Sequence, residues 1–106
     1  MRLGKRQEKT LFLDFVGISS KSKFWDTLLT WVGFDFTKND VVNVSGINRQ
    51  NGYKIVKWLI KNKYIIKSGR KYRGRGMYKL NIKDRKIIAL KRLFNECLKD
   101  GFKYIK

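Results

Sequence analysis

Twelve basic side chains stand between positions 41 and 83 with no carboxylate among them: Arg49, Lys54, Lys57, Lys61, Lys63, Lys67, Arg70, Lys71, Arg73, Arg75, Lys79 and Lys83. The chemistry open to such a run is charge neutralisation. A phosphate ladder rewards it, because each neutralised phosphate releases condensed counterions. A surface that only has to stay soluble normally mixes both signs. Four of these cations, Arg70, Lys71, Arg73 and Arg75, are interleaved with Gly69, Gly74 and Gly76. Glycines there let the backbone turn and approach a sugar–phosphate chain closely, and arginines there can bond phosphate or enter a narrow minor groove.

Other chemistries are poorly provided for. The chain has no histidine, the commonest general base and a common metal ligand. Cys97 is the only cysteine, which leaves no intrachain disulfide and no thiolate metal cluster. Metal-dependent phosphoryl chemistry needs converging carboxylates. Here Glu8, Asp14, Asp26, Asp35, Asp40, Asp84, Glu96 and Asp100 are scattered, and all lie outside the basic run. The expectation is a non-enzyme with no catalytic residue, no metal and no cofactor.

The whole chain shares the bias of its middle. Against 26 Lys and Arg stand 8 Asp and Glu, a formal net charge of +18. Such charge repels itself in a compact state, and a negatively charged partner is the simplest reason to carry it. No stretch approaches the ~18 continuous apolar residues of a membrane span. The basic N-terminus (Arg2, Lys5, Arg6, Lys9) precedes an apolar run at 11–18, but Asp14 interrupts that run and no small-residue cleavage site follows. A signal peptide is therefore not expected, and neither is a membrane partner. The expected setting is cytoplasmic, in association with nucleic acid. At 106 residues and 42% hydrophobic, the chain can bury one modest core, so 1–106 reads as a single domain.

Periodicity supplies the elements that must hold these cations. The 11–18 segment fits a helix through Leu11, Phe15 and Ile18, or a strand through Leu11, Leu13 and Phe15. Phe24, Trp25, Leu28, Leu29 and Val32 recur at helical spacing behind serines able to cap, with Gly33 as a stop. Phe34-Asp35-Phe36 alternates as a very short strand would. Thr37 and Asp40 are spaced as a capping box for a short helix carrying Val41, Val42 and Val44, which Ser45-Gly46 would end.

Asn48 can cap a helix over 48–62. At 100° per residue, Gly52, Val56, Leu59 and Ile60 fall on one side of it. Gln50, Lys54, Lys57 and Lys61 fall opposite, with Tyr53 on the flank and Trp58 off both faces. Asn62 can take a left-handed end. Strands are expected at 64–67 and 77–82 around a basic loop at 68–76, followed by an amphipathic helix at 84–99 with Gly101 past its end.

In this order of elements the chain resembles the winged helix-turn-helix superfamily, in the style of MarR-like and PadR-like regulators. The resemblance spans about 22–82, with its core at 37–66 (TKNDVVNVSGINRQNGYKIVKWLIKNKYII). Gly46-Ile47-Asn48 stands where family members carry a Gly-Ile-Ser-like turn, and Lys63-Tyr64-Ile65 where they carry a Gly-Leu-Ile-like lead into the wing. Two positions depart from the pattern. Ser45 stands where an apolar residue usually precedes the turn glycine, and Lys63 where a glycine usually precedes the wing.

The resemblance implies an α+β, mainly α fold: a winged helix-turn-helix at 19–82, flanked by an N-terminal segment (1–18) and a C-terminal helix (83–106). It implies that helix 48–62 reads the major groove of double-stranded DNA. Arg49, Gln50, Asn51, Tyr53 and Lys54 are then the candidates for base contact, and Lys57 and Lys61 for phosphate. Thr37 and Lys38 would meet phosphate through backbone N–H groups. Arg70, Lys71, Arg73 and Arg75 would form the tip of the wing at 68–76. Ile87, Leu90, Phe94, Cys97 and Leu98 follow a 3–4 spacing that suits a homodimer seam, although the same stripe could simply cover its own core.

The functional expectation is a sequence-specific transcriptional regulator. The alternatives carried with it are a non-specific architectural DNA binder, a winged-helix RNA binder and a protein-interaction winged helix.

Overall fold

In the computed structural model, residues 10–105 are described, with side chains over 10–100. The expected segment 1–18 is thus covered only from Thr10 onward. Seven elements follow in order: α1 (Leu11–Val16), α2 (Ser20–Thr30), α3 (Lys38–Ser45), α4 (Arg49–Lys61), β1 (Ile65–Tyr72), β2 (Arg75–Leu80) and α5 (Arg85–Ile105). The chain is mainly helical with one two-stranded antiparallel sheet, an α+β composition as expected.

Side-chain caps start the helices. Thr10 accepts from Leu13 N–H and opens α1, which settles the 11–18 segment as helix rather than strand. Ser19 and Ser22 exchange bonds in a capping box ahead of α2. Thr37 and Asp40 do the same ahead of α3. Asn48 accepts from Asn51 N–H at 2.9 Å ahead of α4, and Asp84 accepts from Lys86 and Ile87 N–H ahead of α5. Each such cap satisfies a helix-end donor that would otherwise be orphaned.

The core lies among α2, α3, α4, β1 and the first turns of α5. Phe24, Leu28, Leu29, Val41, Val42, Val56, Leu59, Ile65 and Ile87 are its fully buried members. Phe12 of α1 meets Phe94 of α5 edge to face, with centroids 5.5 Å apart, and so extends the core along the C-terminal helix. The short strand expected at 34–36 is reduced to one bridge. Phe36 and Tyr78 exchange both backbone hydrogen bonds, at 2.9 and 2.7 Å, and this fastens the hairpin beside the start of α3.

Four boundaries differ from expectation. Gly101 does not end the last helix, which runs on to Ile105; a glycine's cost of about 1 kcal/mol does not break so long a ladder. The two strands also take in most of the supposed loop at 68–76. Lys71 pairs with Gly76 and Tyr72 with Arg75, so only Arg73 and Gly74 turn the chain. Both have positive φ (52° and 78°), the conformation of a tight two-residue hairpin. The irregularity that glycine allows lies lower down, between Lys67 and Lys71, where Gly69 has φ 92°. At the end of α4, Asn62 stays right-handed (φ −89°), and Lys63 takes the left-handed position with φ 59°.

Candidate nucleic-acid interface

Helix α4 buries Gly52, Ile55, Val56 and Leu59, so the opposite face, with Gln50, Lys54, Lys57 and Lys61, is exposed. Ile60, expected in the core, is half-buried at the edge of that exposed face, and Ile55 takes the core position instead. Gly52 permits the close crossing of α3 and α4: a Cβ there would stand 2.8 Å from Val42 Cγ1. Such proximity sets how far α4 stands from the body of the domain.

Two adjoining grooves flank this helix. One, about 420 Å³, lies between the start of α3, Tyr53 and the hairpin, and takes in Lys38, Asn39, Lys67 and Arg75. The other, about 440 Å³, runs along α4 past Gln50, Lys54, Lys57 and Ile60. Lys38 and Tyr53 belong to both. Of the expected cations, Lys38, Lys54, Lys57 and Arg75 thus border these adjoining grooves together with Lys67, whereas Arg49, Lys61, Arg70, Lys71 and Arg73 line neither. All twelve basic residues of the acid-free run are exposed.

Within this surface a small polar network joins the two helices. The Tyr53 hydroxyl donates to Asn39 Oδ1 at 2.7 Å. The Arg49 guanidinium reaches the same oxygen at 3.4 Å and lies 5.5 Å from the centroid of the Tyr53 ring. Tyr53 is half-buried, so it both packs and presents an edge to the grooves. Asn39 carries no pattern of its own in the sequence, as an asparagine in the first turn of a short helix. Its signal is spatial: it lies across the α3–α4 crossing from the N-terminus of α4.

The remaining candidates fall into different environments. Thr37 is buried, its N–H donates to Asp40 Oδ2 at 2.9 Å, and its hydroxyl accepts from Asp40 N–H. The expected phosphate contact through Thr37 is therefore corrected to a cap that holds α3, with exposed Lys38 standing next to it. Arg70 and Lys71 are also corrected, since they belong to β1 and not to the hairpin tip. Arg70 Nε lies 3.7 Å from Asp35 Oδ2 at the base of the hairpin. Arg73 forms the turn itself, with its guanidinium 5.3 Å from the Tyr72 ring centroid, and Arg75 opens β2. Asn51 is exposed on the first turn of α4.

The stripe expected as a pairing seam on α5 turns inward. Ile87, Phe94 and Cys97 are buried in the chain's own core, Leu90 is half-buried and Leu98 is exposed. The seam is corrected for its three buried members, because α1 and α2 already cover them. Burial, and after it the charges of Asp100 and Glu96, push the Cys97 thiol up, which favours an inert small hydrophobe over a reactive thiolate.

Among the described residues no group of three or more Cys, Asp and Glu side chains could hold a metal ion, and no helix is long and apolar enough to cross a membrane. No protein-family model, curated protein or solved structure matches the chain.

Proposed function

We propose that this chain is a winged helix-turn-helix protein that binds double-stranded DNA, with α4 in the major groove and the β1–β2 hairpin as the wing along the backbone. The observation that carries the reading is the shared surface on which Lys38, Lys54, Lys57, Lys67 and Arg75 meet. An exposed helix fits the major groove, and residues near its N-terminus reach base edges most readily. Arg49, Gln50 and Asn51 stand there, with Arg suited to guanine and Gln or Asn to adenine. The wing contributes Lys67, Arg73 and Arg75 to the flanking backbone.

A regulator of transcription acting as a homodimer is the fuller form of this proposal. Two α4 helices about 34 Å apart would then read a pseudo-palindrome. On α5, the apolar side chains open to such a dimer are Ile88 and Leu98, which are solvent-facing.

A second reading keeps the surface and drops base selectivity, giving an architectural DNA binder or an RNA binder. It is favoured by the kind of cation present: eight of the twelve in the acid-free run are lysines, point charges that neutralise phosphate without planar, two-pronged recognition.

Selection from randomised duplexes at two salt concentrations tests both, with the mass of the free protein measured alongside. One enriched sequence supports the regulator. Strongly salt-dependent binding without enrichment supports the architectural reading, and preference for structured RNA overturns the assignment to DNA.

A further inference from the structure

A third groove, of different character, lies on the other side of α4. Trp25 of α2, Trp58 of α4 and Tyr64 just beyond it form a triangle of edge-to-face rings, with centroids 6.3, 5.6 and 5.4 Å apart. Ala89, Leu90 and Leu93 of α5 form the facing wall, and the space between is about 470 Å³. All three aromatic residues are only half-buried. These rings pack against the core on one side and leave an apolar face open on the other, which suits a contact surface.

The rim limits what can sit there. Lys21 Nζ stands 3.9 Å from the Trp58 ring centroid and Lys86 Nζ 5.4 Å from that of Tyr64. No carboxylate lines the groove. Cations already occupy the ring faces, so an occupant has to be apolar at its centre and negative at its edges. A second copy docked through the same groove fits badly, since it would set Lys86 against its own counterpart. A nucleic-acid strand fits badly too, because the wall is aliphatic and Lys86 is the cation in its lining, where a phosphate ladder needs many. We propose that this groove docks an acidic amphipathic helix from a partner protein, seating about two or three of its apolar side chains in the helix-in-groove manner.

The groove and the proposed DNA surface can be filled together. Trp58 follows Tyr53 by five positions, which places the two on opposite flanks of α4, about 140° apart. The inference does not depend on DNA being the ligand of the other surface.

The test uses a fluorescein-labelled synthetic peptide with Leu, Phe and Leu at i, i+4 and i+7 and Glu on its remaining faces. Its anisotropy is followed with the full chain, with and without duplex DNA. Binding should weaken at least about tenfold in Lys86→Glu and in Ala89→Glu, while Lys57→Glu leaves it unchanged. Lys86 and Ala89 are both exposed, and circular dichroism checks that the variants fold. A control peptide with Ser in place of the apolar residues should not bind. Displacement of the peptide by duplex would place it on the basic surface and overturn the proposal. So would a dimer of the free chain that Ala89→Glu dissociates, or single-strand binding lost in the same variant.

Discussion

The Tyr53 hydroxyl donates to Asn39 Oδ1 across the α3–α4 crossing at 2.7 Å, and the Arg49 guanidinium approaches the same oxygen. One amide oxygen thereby fixes the first turn of α4 relative to α3. Tyr53→Phe removes the donor and keeps the ring, so it should cost about 0.5–1.5 kcal/mol of stability, measurable by urea unfolding. The substitution changes no charge, so the salt dependence of duplex binding should stay as it is in the parent. A flattened salt dependence in this variant would mean that the hydroxyl itself acts at a phosphate.

Cations on the shared surface should separate by position. Lys57→Ala and Arg73→Ala should weaken binding to every duplex alike and lower the salt dependence by about one ion each. Arg49→Ala and Gln50→Ala, at the start of α4, should change which sequence is preferred, with a discrimination of ~1–3 kcal/mol at the affected base. Titrations of the preferred and a scrambled duplex at several salt concentrations decide it. Equal losses on both duplexes from all four variants would leave only the non-selective reading.

Gly52 sits against Val42, with no room for a methyl group between the helices. Alanine there gains about 1 kcal/mol of helix propensity but forces a buried, branched side chain aside, at a cost of about 1–3 kcal/mol. The crowding wins, and Gly52→Ala should destabilise the fold by about 1 kcal/mol. In a Val42→Ala background the same change should become neutral or stabilising. A double-mutant cycle without coupling would place the crossing elsewhere.

The helices and their faces were legible because their signals are local. Thr37 with Asp40 makes the capping box that its spacing announces, Asn48 caps α4 as its residue type suggests, and the cationic face of α4 follows from residue angle alone. What could not be read depended on neighbours distant in the chain. Ser45, in a position that invited an apolar residue, is buried because its hydroxyl donates to Val42 C=O at 3.0 Å, whereas Val44 faces solvent. Arginine and glycine between 68 and 76 looked like loop because strand propensity is weak beside context. Pairing of Lys71 with Gly76 and Tyr72 with Arg75 extends the strands regardless. The inward turn of the α5 stripe was set by α1, whose own conformation the sequence left open.

Asp26 is a carboxylate held against its preference. Burial raises its pKa above 3.8, and the Thr10 hydroxyl, donating to Oδ1 at 3.0 Å, only partly opposes this. The folded state therefore binds more protons than the unfolded state just above the ordinary aspartate range. Stability is lost as pH rises through the titration of Asp26. Asp26→Asn keeps an acceptor for Thr10 without the charge. Its melting temperature relative to the parent should be highest near pH ~7 and fall back as pH approaches ~4. A difference that grows toward acid would mean that the carboxylate is stabilised by the fold.

Lys63 occupies the left-handed position that ends α4, with its N–H donating to Ile60 C=O and that of Tyr64 to Leu59 C=O. These two bonds form the glycine-type helix ending, and a side chain in it costs about 1–2 kcal/mol. Lys63→Gly relieves that cost but adds freedom to the unfolded chain, about 0.5–1 kcal/mol. The variant should gain ~0.5–1 kcal/mol, a rise of several degrees in melting temperature at this chain length. Lys63→Ala shows which property matters, because it removes the charge and keeps the strain. If alanine stabilises as much as glycine, repulsion among the crowded cations is the cause. If only glycine does, the backbone is.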